Sequence, residues 1–268
     1  MTTLIAAGID GYNSFIIENI DPRVKPWLTM QSPIYPMLII IAYQYFVRVL
    51  GPKFMENRKA YTLEKTMIIY NCFQILINGY FVKEVVSRVI LRPDKYNVWC
   101  ATVDYSYDEE AVHFAFTTYM FYLSRCSDLM DTVFMVLRKK FRQVSFLHIY
   151  HHSGMVMVGW IFTAYAPGGH VAYFGVVNAF VHCVMYFYYL LTAFKPEYKN
   201  SIWWKRHITE MQLAQFVIVT VHAGINVLNP YCTFPKLLIA PLLPQGIFIF
   251  LLFWDFYKKT YLQKKVEE

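Results

Sequence analysis

Seven apolar stretches, each near the length that crosses a bilayer, recur along this chain and leave little room for a soluble fold. A helical span takes about 20 residues, and the stretches cover roughly 34–50, 66–85, 112–137, 147–165, 172–194, 208–228 and 237–257. Pro33 and Pro36 interrupt the start of the first. Lipid offers backbone amides no partners, so such segments must be helices or a closed barrel, and stretches of this length read as helices. Only 16% of residues are charged, against about 25% in soluble domains. The expected fold is an all-α membrane protein with seven transmembrane helices, one integral membrane domain over residues 1–268. No soluble domain, linker or internal repeat interrupts it. Residues 1–25 carry Asp10, Glu18 and Asp21 and lack a basic segment before an apolar core, so no cleavable signal peptide is read there.

The net charge of +7 does not point to nucleic acid, because the basic residues alternate between loops. One set holds Lys53, Arg58, Lys59 and Lys65, then Arg138, Lys139, Lys140 and Arg142, then Lys195, Lys199, Lys205 and Arg206, then Lys258, Lys259, Lys264 and Lys265. The positive-inside rule makes this set cytosolic. Seven spans then place the N-terminus in the lumen and the C-terminus in the cytosol. Cys72, Cys126 and Cys183 fall within spans, where reduced thiols are expected. Cys100 and Cys232 fall in non-cytosolic loops, and a Cys100–Cys232 disulfide is predicted for an oxidising compartment.

Polar residues interrupt the apolar pattern at four places. Arg125, Asp128 and Thr132 share a face of the third span, with Asp131 at its edge. His148, His151 and His152 share a face of the fourth, and Asn178, His182, Met185, Tyr186 and Tyr189 form a stripe on the fifth. Thr209, Gln212 and Gln215 open the sixth. At 1.5 Å per residue, Asp128 lies about 14 Å from the cytosolic end of its helix, His151 roughly 6 Å, His182 about 18 Å, and Gln212 to Gln215 about 6–11 Å. Antiparallel helices thus place polar groups in one half of the membrane, as a shared cavity would. Ionisable residues there are costly unless used. Arg125 with Asp128 also fits a simple intrahelical ion pair, and Gln and Asn fit ordinary interhelical hydrogen bonds. His113, His170, His207 and His222 are isolated near span ends and read as structural or solvated.

Three function classes fit to different degrees. A mononuclear or di-iron desaturase or hydroxylase uses histidine boxes, but two irons need several clustered pairs. This chain has eight histidines with one cluster. A seven-span receptor or channel explains the topology but not a histidine cluster matched in depth to Asp and Gln. An enzyme acting on acyl chains explains both.

Here the motifs carry a resemblance. Gly51-Pro52-Lys53-Phe54-Met55-Glu56-Asn57-Arg58-Lys59, Tyr70-Asn71, Asp131-Thr132-Val133-Phe134 with Leu137-Arg138-Lys139-Lys140, His148-x-x-His151-His152, Asn178-x-x-x-His182-x-x-Met185-Tyr186-x-Tyr188-Tyr189 and Thr209-x-x-Gln212-x-x-Gln215 follow in order. The chain resembles the very-long-chain fatty acid elongases, the membrane 3-ketoacyl-CoA synthases, over nearly its whole length. It departs from them in carrying Arg125 and Asp128 where the family motif has Lys and Glu, and Ala60 where a proline follows Arg-Lys. Arg and Lys differ in geometry and hydration.

The resemblance implies condensation of an acyl-CoA with malonyl-CoA, losing carbon dioxide and CoA, through an acyl-imidazole on His151. His182 would be its partner, and His148 and His152 would orient it or handle protons. Desolvation at this depth favours the neutral, nucleophilic imidazole. Asn178, Gln212 and Gln215 would donate to thioester or enolate oxygens, and Arg125, Asp128, Asp131 and Tyr186 join them as candidate substrate contacts. Spans 2–7 would enclose a tunnel for the alkyl chain. Lys139, Lys140, Lys205 and Lys258 are candidates for the CoA phosphates. No metal and no bound cofactor are expected. The expected partners are the lipid bilayer, the reductases and dehydratase that complete an elongation cycle, and a second copy of the chain as a homodimer. Residence in the endoplasmic reticulum membrane follows from the resemblance alone, since Lys264-Lys265-Val266-Glu267-Glu268 is one residue out of register for a dilysine signal.

Overall fold

Eight helices carry the architecture of the computed structural model, which describes residues 11–263. Asp10 and the Lys264-Lys265 tail lie outside the described residues. In chain order the helices are α1 (Ile34–Met55), α2 (Glu64–Val85, prolonged by a wide turn over Val86–Ile90), α3 (Glu109–Ser127), α4 (Leu129–Leu137), α5 (Phe146–Tyr165), α6 (Val171–Phe194), α7 (Ile202–Leu228) and α8 (Lys236–Leu262). No strand is formed among the described residues.

Four of these, α1, α6, α7 and α8, are long and apolar enough to cross a membrane on their own. The sequence leads one to expect seven such helices. The others hold much of the polar inventory: Asn71, Gln74 and Asn78 on α2, Arg125 on α3, Asp131 on α4, and His148, His151 and His152 on α5. The third stretch is two helices, not one, and breaks at Asp128. Ser124 and Ser127 donate their hydroxyls to the carbonyls of Phe121 and Ser124, each at 2.7 Å. Serine hydroxyls bonded back to the helix carbonyls compete with the ladder and bend it. α1 survives its prolines because Pro33 caps the helix and Pro36 sits in its first turn, where a missing N–H costs nothing. It also runs past the expected end at residue 50, through Gly51-Pro52. A Cβ on Gly51 would lie 2.6 Å from Val136 Cγ1, so glycine lets α1 approach α4.

The helices pack as a ring in the order α2, α3, α5, α8, α7, α6 and back to α2. α1 lies outside it, against α4 and α5. Outward faces are apolar, with Leu76 73%, Ile69 70% and Val221 57% exposed, as lipid-facing surfaces require. One core joins α3, α4 and α5 through Tyr122, Val136, Val156 and Trp160. A second joins α2, α3 and α6 through Phe81, Val85 and Tyr173. A third closes one end of the ring with Phe162, Phe174, Phe234 and Cys232. The turn from α5 to α6 at that end needs Gly168 and Gly169, at φ +91° and +58°.

Cys100 and Cys232 are joined there in a disulfide with Cα atoms 5.5 Å apart, linking positions separated by 132 residues. Cys72, Cys126 and Cys183 are free and half-buried. A loop of this size loses much entropy when crosslinked, so replacing both cysteines by serine is expected to cost about 2–5 kcal/mol. Thermal melting of the detergent-solubilised protein checks this, and mass-tagging should find two additional thiols after reduction.

Candidate active site

Site construction begins at the start of α5. Ser145 caps the helix, its Oγ accepting the His148 amide at 3.3 Å. That cap sets the register which turns His148, His151 and His152 into the ring. Their imidazoles form a contiguous group. His148 and His152 lie 4.2 Å apart between ring centroids, and His152 meets His151 edge-on at 5.6 Å. His151 packs edge-on against Phe216 of α7 and Phe253 of α8, at 6.3 and 6.1 Å. His148 Nε2 lies 2.8 Å from the Thr132 hydroxyl, which lies 2.8 Å from the hydroxyl of Tyr43 on α1.

A second group centres on Arg125, whose side chain is fully buried. Its Nη1 donates to Asn178 Oδ1 at 2.9 Å and pairs with Asp128 Oδ2 at 3.0 Å. The same nitrogen is 2.9 and 3.0 Å from the two ring nitrogens of His182. Its Nη2 donates to Asn78 Oδ1 and to Ser124 Oγ. Asp128 and Asp131 are bridged by the Tyr186 hydroxyl, which lies 3.1 Å from Asp128 Oδ1 and 2.7 Å from Asp131 Oδ2. Tyr70 stands 3.3 Å from that hydroxyl and accepts from Gln74 Nε2 at 2.8 Å. Buried ions persist only when paired and fully hydrogen-bonded, and this lattice does both.

A cavity of about 140 Å³ runs between α3, α5, α6, α7 and α8. At its histidine end stand His151, Asn178 and Gln215, and at the far end Phe162, Val171 and Leu242 beside the disulfide cluster. Between them the wall is mostly apolar, with Met155, Val158 and Ile249; Thr118 turns its hydroxyl to the Phe114 carbonyl, and Gln245 on α8 accepts from Tyr150 at 2.8 Å. From His151 to Phe162 the helix rises about 16 Å. Gly154 lines the cavity one turn from His151, and a Cβ there would meet nothing within 4 Å. Asn178 accepts from Arg125 through its carbonyl oxygen, and its amide N–H groups have no partner among the described residues. Gln215 is buried, with Oε1 unpartnered among the described residues.

The arrangement therefore gathers His148, His151, His152, His182, Arg125, Asp128, Asp131, Asn178, Tyr186 and Gln215. Tyr186 is turned toward the two carboxylates. Gln212 stands apart, its Nε2 3.8 Å from Met185 Sδ. Lys139 is held in a left-handed turn at φ +55° and donates to the Glu56 carbonyl at 3.2 Å, while Lys140 is exposed. Of the isolated histidines, His170 is buried and stacks on His222 at 4.5 Å near the disulfide, and His113 pairs with Glu84 at 2.9 Å. Gln74 and Asn78 belong to the site and escaped the sequence reading. With Tyr70 they follow an i, i+4, i+8 spacing on α2, a signal that would have found them.

Comparison with known proteins gives a consistent picture. The family model described as ELO, the GNS1/SUR4 family, matches residues 28–268. Very long chain fatty acid elongase 7 of Rattus norvegicus is 41% identical over 246 residues, covering 91% of this chain and 87% of its own. A very long chain fatty acid elongase of Aedes aegypti is 38% identical over 262 residues, 98% of this chain and 73% of its own. Very long chain fatty acid elongase 1 of Homo sapiens is 37% identical over 251 residues, 93% and 89% respectively.

Proposed function

This chain belongs to the ELO (GNS1/SUR4) family and is a condensing enzyme of fatty acid elongation, and from that premise we propose how its residues run the reaction. His151 attacks the thioester carbonyl of a long-chain acyl-CoA. The C–S bond breaks, CoA leaves as thiol after taking a proton, and the acyl group remains on the imidazole. Malonyl-CoA then loses carbon dioxide, and the electron pair left at C2 attacks the acyl carbonyl. The C–N bond breaks, His151 is freed, and a 3-ketoacyl-CoA two carbons longer departs. His182, buried against Arg125, is assigned as the partner of His151. The amide N–H groups of Asn178, with those of Gln215 on the same cavity wall, stabilise the oxyanions of both halves.

The observation that carries this reading is the cavity, which sets His151 and Asn178 at one end of a narrow apolar channel. An alkyl chain gains about 0.8 kcal/mol per buried methylene, so the channel both binds the substrate and measures it. The ring of α2, α3, α5, α8, α7 and α6 holds the channel, with residues of α3, α5, α6, α7 and α8 forming its wall. In the membrane the chain crosses seven times, counting α3 with α4 as one span, with a lumenal N-terminus and the endoplasmic reticulum as its compartment. Lys140, Lys205 and Lys258 are exposed and with Lys139 serve the phosphates of CoA. Other elongation-cycle enzymes consume the product. An oxidase metal site fits these residues poorly, because the Arg125 guanidinium lies against both ring nitrogens of His182, where a cation would have to bind.

Purified protein in lipid nanodiscs, given acyl-CoA and malonyl-CoA, is expected to release 3-ketoacyl-CoA and carbon dioxide in equal amounts. Gly154→Leu fills the channel beside His151 and should lower product formation by at least about tenfold. Its melting temperature should hold, since the added side chain enters open space. Undiminished elongation by this variant would mean the alkyl chain runs elsewhere.

A further inference from the structure

Three hydroxyl and imidazole groups on α1, α4 and α5 form a chain whose direction can be worked out. Tyr43 and Thr132 are buried, at 6% and 0% exposure. The Tyr43 hydroxyl lies 2.8 Å from Thr132 Oγ1, and Thr132 Oγ1 lies 2.8 Å from His148 Nε2. Each hydroxyl owns one proton. Thr132 is the single hydrogen-bond partner of the Tyr43 hydroxyl among the described residues. If Thr132 donated to Tyr43, the tyrosine proton would be buried with no acceptor. Tyr43 therefore donates to Thr132, and Thr132, whose own buried proton has no other acceptor among the described residues, donates to His148 Nε2. A neutral imidazole that accepts at Nε2 carries its proton on Nδ1.

We propose that Tyr43 and Thr132 are positioning residues for the condensation: they hold His148 as the Nδ1–H tautomer and fix its ring against His152. His148 thereby serves the acyl transfer as a hydrogen-bond donor through Nδ1 and not as a base at Nε2. The ring of His152, 4.2 Å away and tilted by 39°, passes the constraint to its edge-on neighbour His151. This gives α1, which lies outside the ring of helices, a part in the chemistry. Side chains that orient catalytic groups without touching substrate act through such placement, where small displacements cost large factors in rate.

The inference rests on the condensing chemistry proposed above, and the experiment separates the two. Tyr43→Phe, Thr132→Val, Thr132→Ser and the Tyr43→Phe/Thr132→Val double variant are assayed beside the unaltered enzyme for 3-ketoacyl-CoA release. Each single loss of the chain should lower kcat by about tenfold, with KM for acyl-CoA within twofold. The double variant should be no slower than the slower single, because one chain is broken in either case. Thr132→Ser keeps the hydroxyl and should retain most activity. In ¹⁵N-histidine spectra, Tyr43→Phe should convert the Nδ1–H pattern of His148 into a mixture of tautomers. If Tyr43→Phe fails to fold, Thr132→Ser against Thr132→Val carries the comparison. Equal activity of those two, unchanged kcat in Tyr43→Phe, or losses that multiply in the double variant would overturn the inference. Failure of the unaltered enzyme to form 3-ketoacyl-CoA would overturn the condensing chemistry instead.

Discussion

His151→Ala should abolish elongation, lowering kcat by at least about 10³-fold, because no other imidazole lines the cavity among the described residues. Its packing partners, Phe216 and Phe253, touch only the ring edge, so the fold should tolerate the change within a few degrees of melting temperature. His182→Ala should also be severe, but for a different reason. It removes the group lying against Arg125 and leaves His151 in place. The two variants separate in the first half-reaction: His151→Ala should release no CoA from acyl-CoA alone, whereas His182→Ala retains slow release. A His151→Ala enzyme with appreciable turnover would remove the nucleophile from the account.

Arg125→Ala is the second large effect, and it falls on stability before activity. The guanidinium is the cation for Asp128, at 3.0 Å, and both carboxylates of the Asp128–Asp131 pair lie in its field. Removing it leaves buried negative charge beside the Tyr186 hydroxyl and the His182 imidazole, with Nδ1 3.6 Å from Asp128, and no permanent cation at that distance among the described residues. Breaking a buried pair from one side costs about 3–5 kcal/mol, on the order of 10 °C in melting temperature. Arg125→Lys keeps the charge but cannot reach Asn178, Asn78, Ser124 and Asp128 from one planar fork, and should be intermediate. Arg125→Met combined with Asp128→Leu should regain much of the lost stability while remaining inactive. Differential scanning fluorimetry in detergent, paired with turnover, distinguishes these outcomes. A melting temperature for Arg125→Ala within about 2 °C of the unaltered protein would contradict the charge balance drawn here.

Much of this arrangement could be read before any coordinates, because a charge or imidazole in an apolar helix is conspicuous. His148, His151, His152, His182, Arg125 and Asp128 declared themselves in that way, and depth along antiparallel helices brought Asn178 and Gln215 to them. Cys100 and Cys232 were paired by the alternation of basic loops. What stayed hidden did so for physical reasons. Gln74 and Asn78 are neutral amides of a kind that often only glues helices together, so their bonds to Ser127 and Arg125 could not be read from type alone. Tyr43 is one of 22 tyrosines, and nothing local marks the one whose hydroxyl meets Thr132. The break at Asp128 depends on which way two serine hydroxyls turn, which hydrophobic periodicity does not encode. Four helices, not the expected seven, are long and apolar enough to cross a membrane, and polar residues such as those of the site lower the hydropathy of the helices that carry them.

Mass spectrometry of the protein after incubation with acyl-CoA in the absence of malonyl-CoA bears most directly on the proposed chemistry. One equivalent of free CoA should appear, and a peptide spanning residues 141–165 should gain the mass of the acyl group on His151. Malonyl-CoA added afterwards should remove the adduct and yield 3-ketoacyl-CoA. An active preparation that releases no CoA and carries no adduct until malonyl-CoA is present would contradict the acyl-imidazole route.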